Sequence, residues 1–186
     1  LQKQEGLSWV GLSVPVGRLD AASMAELAAL ARRYGSGELR FTEAQNVLIV
    51  NVPAERVEAL LAEPLLQRFK SEPGALMAEA VSCTGNAYCN LALIPTKGTA
   101  QAVLDELERR VELPQAVRMH WTGCPNACGQ PYMGEIGLMG AKARHEGQMV
   151  EAVKIFLGGD MGADRDKLGG GGGPRELLDD RTLQDA

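Results

Sequence analysis

The sequence predicts an α+β fold, in which a β-α-β-β-α unit is followed by an α/β domain. Apolar residues alternate with small ones in some segments and recur at helical spacing in others, so both strands and helices are expected. A turn-forming stretch at residues 71–74 separates two such regions. The 186 residues, of which 45% are hydrophobic, suffice for one large domain or two small ones.

The first region, residues 8–69, alternates strand and helix patterns. Its predicted elements are a strand at 10–14, a helix at 24–34, strands at 39–41 and 47–50, and a helix at 54–62. Ser23 and Glu26 have the spacing of a capping box at the start of the first helix, and Gly35 is a typical stop. This order predicts a half-ferredoxin-like unit, whose sheet a second copy would complete.

The second region begins near residue 75 and has the pattern of an α/β domain. Its predicted elements are a helix at 99–111 and strands at 117–121, 136–139 and 150–157. On the outer face of the helix, Asp105 precedes Arg109 and Glu106 precedes Arg110 by four residues, which favours two ion pairs.

Five consecutive glycines at residues 169–173 predict a flexible linker, because glycine supports neither a stable helix nor a sound strand. Residues 175–186 are expected to be a short helical tail or disordered. The sequence therefore predicts a half-domain at residues 1–72, a second domain at 73–168, and a linker with tail at 169–186.

Composition limits the partners of the chain. A net charge of −5 disfavours bulk attraction to nucleic acid or to an anionic membrane. No apolar run is long enough to span a bilayer, so no membrane span is expected. Reduced cysteines are typical of the cytoplasm or the plastid stroma, and we expect one of these locations.

The four cysteines of the chain form two tight pairs. Cys83 and Cys89 have the spacing C-x5-C, and Cys124 and Cys128 have the spacing C-x3-C. Turn-forming Thr, Gly, Asn and Pro surround both pairs, which argues against four core thiols that act only as small hydrophobic groups. Such backbone wraps closely around compact groups, so we expect the four thiolates to meet at one metal centre.

Three kinds of structure remain open for these cysteines. Two disulfides would need an oxidising compartment, and nothing in the sequence resembles a secretory signal. A zinc ion suits the C-x3-C spacing, whereas C-x5-C lies outside the usual range. A [4Fe–4S] cluster takes four thiolates and accepts wider loops, and Cys-Pro, present here as Cys124-Pro125, occurs in cluster-binding runs.

Around the cysteines the sequence is similar to one known family. Cys-Thr-Gly-Asn at Cys83, Thr-Gly-Cys-Pro-Asn-x-Cys-Gly-Gln from Thr122, and Ile-Gly-Leu-Met-Gly from Ile136 resemble the assimilatory nitrite and sulfite reductases. The likeness is greatest to the ferredoxin-dependent nitrite reductases. Residues 14–19 and 34–40 extend it to nearly the whole chain.

The resemblance implies an oxidoreductase with two cofactors. Cys83, Cys89, Cys124 and Cys128 would bind a [4Fe–4S] cluster, and Cys128 would also bridge to the iron of sirohaem. The family reduces nitrite to ammonia, or sulfite to sulfide, with six electrons, and ferredoxin is the implied donor. The chain would be the C-terminal half, inactive without an N-terminal half that contacts most of the small anion substrate. A non-enzymatic iron–sulfur or zinc-binding module is the alternative from another functional class.

The resemblance also suggests a substrate and further cofactor contacts. Thr84-Gly85-Asn86 and Pro95-Thr96-Lys97 resemble the nitrite branch, and residues 130–133 partly resemble the sulfite branch. Nitrite is therefore expected, and sulfite is the alternative. Arg18 and Arg40 are candidates for the sirohaem carboxylates, because arginine binds carboxylates in bidentate fashion. The residues expected to shape the cluster loops, or else to form ordinary turns, are Thr84, Gly85, Asn86, Thr122, Gly123 and Asn126.

The remaining charged candidates are two histidines and a basic patch. His120 precedes the C-x3-C loop and is expected to be a packed strand residue rather than a ligand. His145 is expected in a surface loop. The residues predicted to form a local basic patch for an acidic ferredoxin are Lys97, Arg118, Lys142 and Arg144.

Overall fold

The computed structural model describes residues 2–159 and the backbone of the strand Arg175–Leu177. The chain divides into two units, Leu1–Ala78 and Glu79–Ala186. The five glycines at residues 169–173 lie outside the described residues, so the predicted linker stays a prediction. Within residues 2–159, no helix is both long and apolar enough to cross a membrane.

The first unit has the predicted β-α-β-β-α order. Its elements are β1 (Leu7–Leu12), α1 (Ala21–Tyr34), β2 (Leu39–Phe41), β3 (Val47–Pro53), α2 (Val57–Leu61) and α3 (Leu65–Arg68). β3 lies between β1 and β2 and pairs antiparallel with both. α2, with the 3-10 turn at Ala54–Arg56 before it, falls within the helix predicted at 54–62, whereas α3 was not predicted. Pro64, which has no N–H with which to continue α2, separates the two helices.

One face of this sheet packs against the helices. Val10 and Leu12 of β1, Leu27 of α1 and Ile49 of β3 belong to a single cluster of buried side chains. Each of them is at most 5% exposed. Because side chains alternate along a strand, the period-two pattern seen in the sequence places one apolar set in this core.

The start of α1 corrects the predicted capping box. Asp20 is the N-cap: its Oδ1 accepts a hydrogen bond from Ser23 N at 2.7 Å, and its Oδ2 accepts one from Ser23 Oγ at 3.0 Å. Asp20, and not Ser23, therefore caps α1. Its carboxylate accepts the hydrogen bonds from Ser23 and also interacts favourably with the positive end of the helix dipole. Gly35 ends the helix as predicted, and its N–H donates to Ala31 O at 3.0 Å.

In its described residues, the second unit contains a five-stranded mixed sheet and one long helix. Its elements are β4 (Val81–Ser82), α4 (Thr96–Arg110), β5 (Met119–Thr122), β6 (Ile136–His145), β7 (Gln148–Leu157) and β8 (Arg175–Leu177). The strands lie in chain order; β4, β5 and β6 are parallel, and β7 and β8 continue antiparallel. The prediction of a helical or disordered tail at residues 175–186 was wrong for Arg175–Leu177, which form β8. Pairing with β7 satisfies the backbone hydrogen-bonding groups of this strand.

One of the two ion pairs predicted on α4 is present. Glu106 pairs with Arg110 as predicted, and also with Arg109. The predicted pair between Asp105 and Arg109 is absent among the described residues, because Asp105 Oδ1 accepts from Gln101 Nε2 at 2.8 Å. The mixed helix and sheet composition of the two units confirms the predicted α+β class.

Candidate metal centre

Both cysteine pairs begin at one edge of the second sheet. Cys83 directly follows β4, and Cys124 comes two residues after β5 ends at Thr122. The two strands are parallel neighbours in which Ser82 lies opposite Trp121. Parallel strands present their carboxyl ends at the same edge, which is where open α/β sheets bind ligands. The strand predicted at 117–121 is confirmed as β5 before Cys124, whereas β4 before Cys83 was not predicted.

Gly123 joins the two cysteine loops. Its N–H donates to Cys83 Sγ, with 3.1 Å between nitrogen and sulfur. Its carbonyl oxygen accepts from Leu93 N at 2.7 Å, which holds the end of the loop that carries Cys89. A side chain at position 123 would place its Cβ 2.7 Å from Ala92 Cβ. Only glycine allows this approach without a shift of the neighbouring loop.

Gly129 brings the second cysteine pair against the first. A Cβ at this position would lie 1.9 Å from Trp121 O and 3.4 Å from Cys83 N. The same carbonyl oxygen accepts a hydrogen bond from Cys83 N at 3.0 Å. The residue after Cys128 therefore packs directly on the hydrogen bond that attaches Cys83 to β5.

The C-x3-C loop turns tightly through residues with positive φ. Ala127 has a φ of 56°, and its N–H donates to Cys124 O at 3.2 Å. Gln130 has a φ of 52°, and its N–H donates to Ala127 O at 2.8 Å. Residues other than glycine adopt this conformation only where the surrounding structure imposes it, and such residues are common at functional sites.

The four thiols differ in exposure. Cys124 is buried, Cys83 and Cys89 are partly buried, and Cys128 is exposed. All four are free, so the disulfide alternative does not hold in this structure. Within the described ranges, no three His, Cys, Asp or Glu residues form a group that could hold a metal ion, so the convergence of the four thiols stays a prediction. Their number is that of the thiolates which a [4Fe–4S] cluster takes, and the two loops that carry them are in contact through Gly123.

The structure places the six predicted loop residues in two groups. Gly85, Thr122 and Gly123 are buried, whereas Thr84, Asn86 and Asn126 are exposed. Gly85 has a φ of 70°, and its carbonyl accepts from Cys89 N at 3.1 Å, which closes the turn before that cysteine. The N–H of Asn86 donates to Ile94 O at 3.1 Å, a contact that shapes the same loop.

Thr96 lies at this site, although the sequence interpretation used it only for the family resemblance and did not propose it as a site residue. It is fully buried, and its Oγ1 donates to Cys83 O at 2.8 Å and lies 3.6 Å from Cys83 Sγ. The predicted helix began at residue 99, which left Thr96 in a loop, whereas α4 begins at Thr96 itself. Pro95 was the available signal, since proline is common at helix starts.

His120 is a buried strand residue, as predicted. It is 4% exposed, and its Nδ1 lies 3.1 Å from Gly129 O and 3.0 Å from Gln130 O. Carbonyl oxygens only accept hydrogen bonds, so Nδ1 carries the proton. Burial lowers the pKa of His120, although the two carbonyl contacts oppose that shift. The neutral ring therefore ties the segment after Cys128 to β5.

The predicted basic patch is only partly present beside the cysteines. Lys97 Nζ donates to Ser82 O at 3.0 Å, one residue before Cys83. Arg118 instead precedes the amino end of β5, the end opposite Cys124, and pairs with Glu135. Arg118 was therefore wrongly included, because strand direction carries it away from the cysteine loops.

The other cationic candidates lie in the β6–β7 hairpin or in the first unit. Lys142 and Arg144 are exposed on β6, and Lys142 Nζ is 3.7 Å from Glu151 Oε1. Arg18 and Arg40 are exposed in the first unit, and Arg40 pairs with Glu38 at 2.7 Å.

Known proteins match both parts of the chain. Residues 1–66 match the nitrite/sulfite reductase ferredoxin-like half domain, and residues 74–170 match the nitrite and sulphite reductase 4Fe-4S domain. The chain is 57% identical over 163 residues to the ferredoxin–nitrite reductase of Synechococcus elongatus, which covers 88% of this chain and 32% of that protein. It is 56% identical over 164 residues to the chloroplastic ferredoxin–nitrite reductase of Oryza sativa. This match covers 88% of this chain and 28% of the rice protein.

A solved structure shares the fold. The NirA protein of Mycobacterium tuberculosis matches with a TM-score of 0.87 at 29% identity, covering 98% of this chain and 34% of that one. The chain thus spans about a third of the length of the relatives that it matches.

Proposed function

The chain belongs to the nitrite and sulfite reductase family, and on this premise we propose that it is the C-terminal, cofactor-binding part of a ferredoxin-dependent nitrite reductase. The whole enzyme would reduce nitrite to ammonia with six electrons. The observation that carries the proposal is the approach of the two cysteine loops, where Gly123 N–H lies 3.1 Å from Cys83 Sγ. A backbone N–H directed at sulfur stabilises the thiolate form that binds iron. The names of the similar nitrite reductases support the choice of substrate.

The proposed cluster ligands are Cys83, Cys89, Cys124 and Cys128. When bound, the cluster and sirohaem would supply the single-electron storage and transfer that protein side chains cannot perform. The exposed thiol of Cys128 suits the proposed bridge to sirohaem, because its sulfur is accessible outside the loops. The buried Cys124 is suited to hold the cluster alone.

Other residues of the chain would position these ligands. Gly123 holds Cys83 and the Cys89 loop together, and Gly85 closes the turn before Cys89. We propose that the exposed residues Thr84, Asn86 and Asn126, together with buried Thr122, complete the cluster loops.

Arg18 and Arg40 are proposed contacts for the sirohaem carboxylates. Arg40 would exchange its pair with Glu38 for such a contact, and this costs little because exposed ion pairs contribute little to stability.

The proposed electron donor is an acidic ferredoxin. Lys97, Lys142 and Arg144 remain candidates for its docking, whereas Arg118 does not. Steering by such a patch weakens as salt screens the charges. Donor affinity that did not change with ionic strength would contradict this part of the proposal.

The proposal includes a division of the chain into a half-domain at residues 1–72, an iron–sulfur and sirohaem domain at 73–168, and a linker with tail at 169–186. Limited proteolysis tests it, because exposed linkers between domains are cut first. Cleavage near residues 71–74 that leaves two stable fragments is the expected result.

The decisive experiment is anaerobic purification followed by a visible spectrum and counts of iron, sulfide and zinc. A broad iron–sulfur absorption with about four irons per chain is expected for a [4Fe–4S] centre. One zinc per chain, with no colour, would instead favour a non-enzymatic zinc-binding module. Steady-state assays of a full-length form with nitrite and with sulfite separate the two possible substrates.

The Cys128→Ser variant tests the proposed bridge. We expect it to abolish the electronic coupling between sirohaem and cluster, because the shared thiolate is removed, and electron paramagnetic resonance reports this coupling. Ala127→Ser, which alters the same loop without touching a ligand, is the matched control. Normal coupling in Cys128→Ser would refute the assignment of the bridge.

A further inference from the structure

Thr96 presents a fully buried hydroxyl to Cys83. Its Oγ1 donates to Cys83 O at 2.8 Å and lies 3.6 Å from Cys83 Sγ. Gly85 makes room for the hydroxyl, because a Cβ there would lie 2.5 Å from Thr96 Oγ1. A Cβ on Gly123 would lie at an ordinary contact distance, 3.5 Å, from Thr96 Cγ2. The position of the hydroxyl is therefore limited by the first cysteine loop, through Gly85.

The hydroxyl proton has two acceptors within its reach. A neutral thiol can donate to Thr96 Oγ1, but a metal-bound thiolate has no proton and can only accept. Once Cys83 is a thiolate, the Thr96 hydroxyl is the donor in any hydrogen bond between them. A bond to an ionised acceptor is roughly twice as strong as a neutral one, so negative charge on the sulfur draws the proton from Cys83 O toward Sγ.

We propose that the Thr96 hydroxyl, together with the Gly123 N–H, raises the reduction potential of a cluster held by Cys83. The inference rests on the proposed function, because it takes Cys83 as a cluster ligand. Reduction adds one electron from the donor to the cluster, and no bond to the protein forms or breaks. The added negative charge spreads onto the ligand sulfurs, so donors to those sulfurs stabilise the reduced form. Thr96 is thus a positioning residue that acts through Cys83.

The Thr96→Val and Thr96→Ser variants separate the hydroxyl from the packing of the side chain. Valine keeps the shape and loses the donor, whereas serine keeps the donor and loses the methyl group. The chain is reconstituted anaerobically with iron and sulfide, and the cluster is titrated with dithionite in the presence of mediators. We expect a more negative potential for Thr96→Val, with up to a tenfold lower ratio of reduced to oxidised cluster at a fixed potential, which corresponds to about 59 mV for one electron. Thr96→Ser is expected to remain near wild type.

Resonance Raman spectroscopy of the iron–cysteine stretching modes supplies a second readout, because a hydrogen bond to Sγ changes their frequency. A shift in Thr96→Val but not in Thr96→Ser supports the proposal. An unchanged potential in Thr96→Val, equal shifts in both variants, or loss of the cluster in Thr96→Val would overturn it. A wild-type chain that takes up no cluster would contradict the proposed function itself, and the inference with it.

Discussion

Replacing Gly129 by alanine tests how the two cysteine loops are held together. The new Cβ would lie 1.9 Å from Trp121 O and 2.8 Å from the carbonyl carbon of Trp121, which is closer than real contacts allow. Gly129 does not have a positive φ, so the cost arises from contact rather than from backbone conformation. The carbonyl must move, and its hydrogen bond from Cys83 N is expected to weaken or break.

The expected cost combines two effects. Overpacking of a well-packed site typically costs about 1–3 kcal/mol. Loss of the bond between Cys83 N and Trp121 O adds about 1 kcal/mol. We therefore expect the Gly129→Ala variant to lower the free energy of unfolding of the second unit by about 2–4 kcal/mol, and to move Cys83 away from Gly123 N.

Urea unfolding followed by tryptophan fluorescence measures this cost. The two tryptophans, Trp9 and Trp121, lie one in each unit, so a Trp9→Phe background reports the second unit alone. Gly98→Ala is the matched control: Gly98 lies in α4 with no atom within 4 Å of the added Cβ, so alanine should stabilise the helix by up to about 1 kcal/mol. A Gly129→Ala variant as stable as wild type would refute the reasoning.

Two further substitutions test the packing and the helix cap. Leu104→Ala removes a fully buried side chain of α4 and should cost about 2–5 kcal/mol, measured by the same fluorescence assay; unchanged stability would contradict the burial. Asp20→Ala should destabilise the first unit at neutral pH, measured by the fluorescence of Trp9. The hydrogen bond from the Ser23 backbone N–H lowers the pKa of Asp20 in the folded state. The stability that Asp20 contributes is therefore fully present above its unfolded-state pKa, and it is lost as pH falls through its folded-state pKa. A destabilisation by Asp20→Ala that did not change with pH would be inconsistent with capping.

Most of the regular structure could be predicted from local patterns. β1, α1, β2 and β3 appear where alternation or helical spacing indicated them, since each element must bury one apolar face. The errors lie at the ends of elements. The cap at Asp20 and the start of the unpredicted helix α3 after Pro64 depend on single side chains, and β8 depends on a partner strand.

The sequence pointed to the proposed ligands of the candidate site but not to the residues that support them. Cysteine spacing and turn residues are visible in the sequence, and they pointed to Cys83, Cys89, Cys124 and Cys128. No comparable spacing or turn pattern in the sequence indicates a role for Thr96. Its role depends on the short distance from its hydroxyl to Cys83, which only the folded structure shows.

The sequence alone determined the four thiols, their two spacings and the strand that precedes Cys124, because these follow from covalent connectivity and local backbone preferences. The short strand β4 before Cys83 depends on its pairing with β5. Tertiary structure alone decided that Gly123, 40 residues from Cys83, donates to its sulfur, and that Arg118 lies at the wrong end of β5 for the basic patch. Such contacts form only when parallel strands align in one register, and that alignment depends on the packing of the whole sheet.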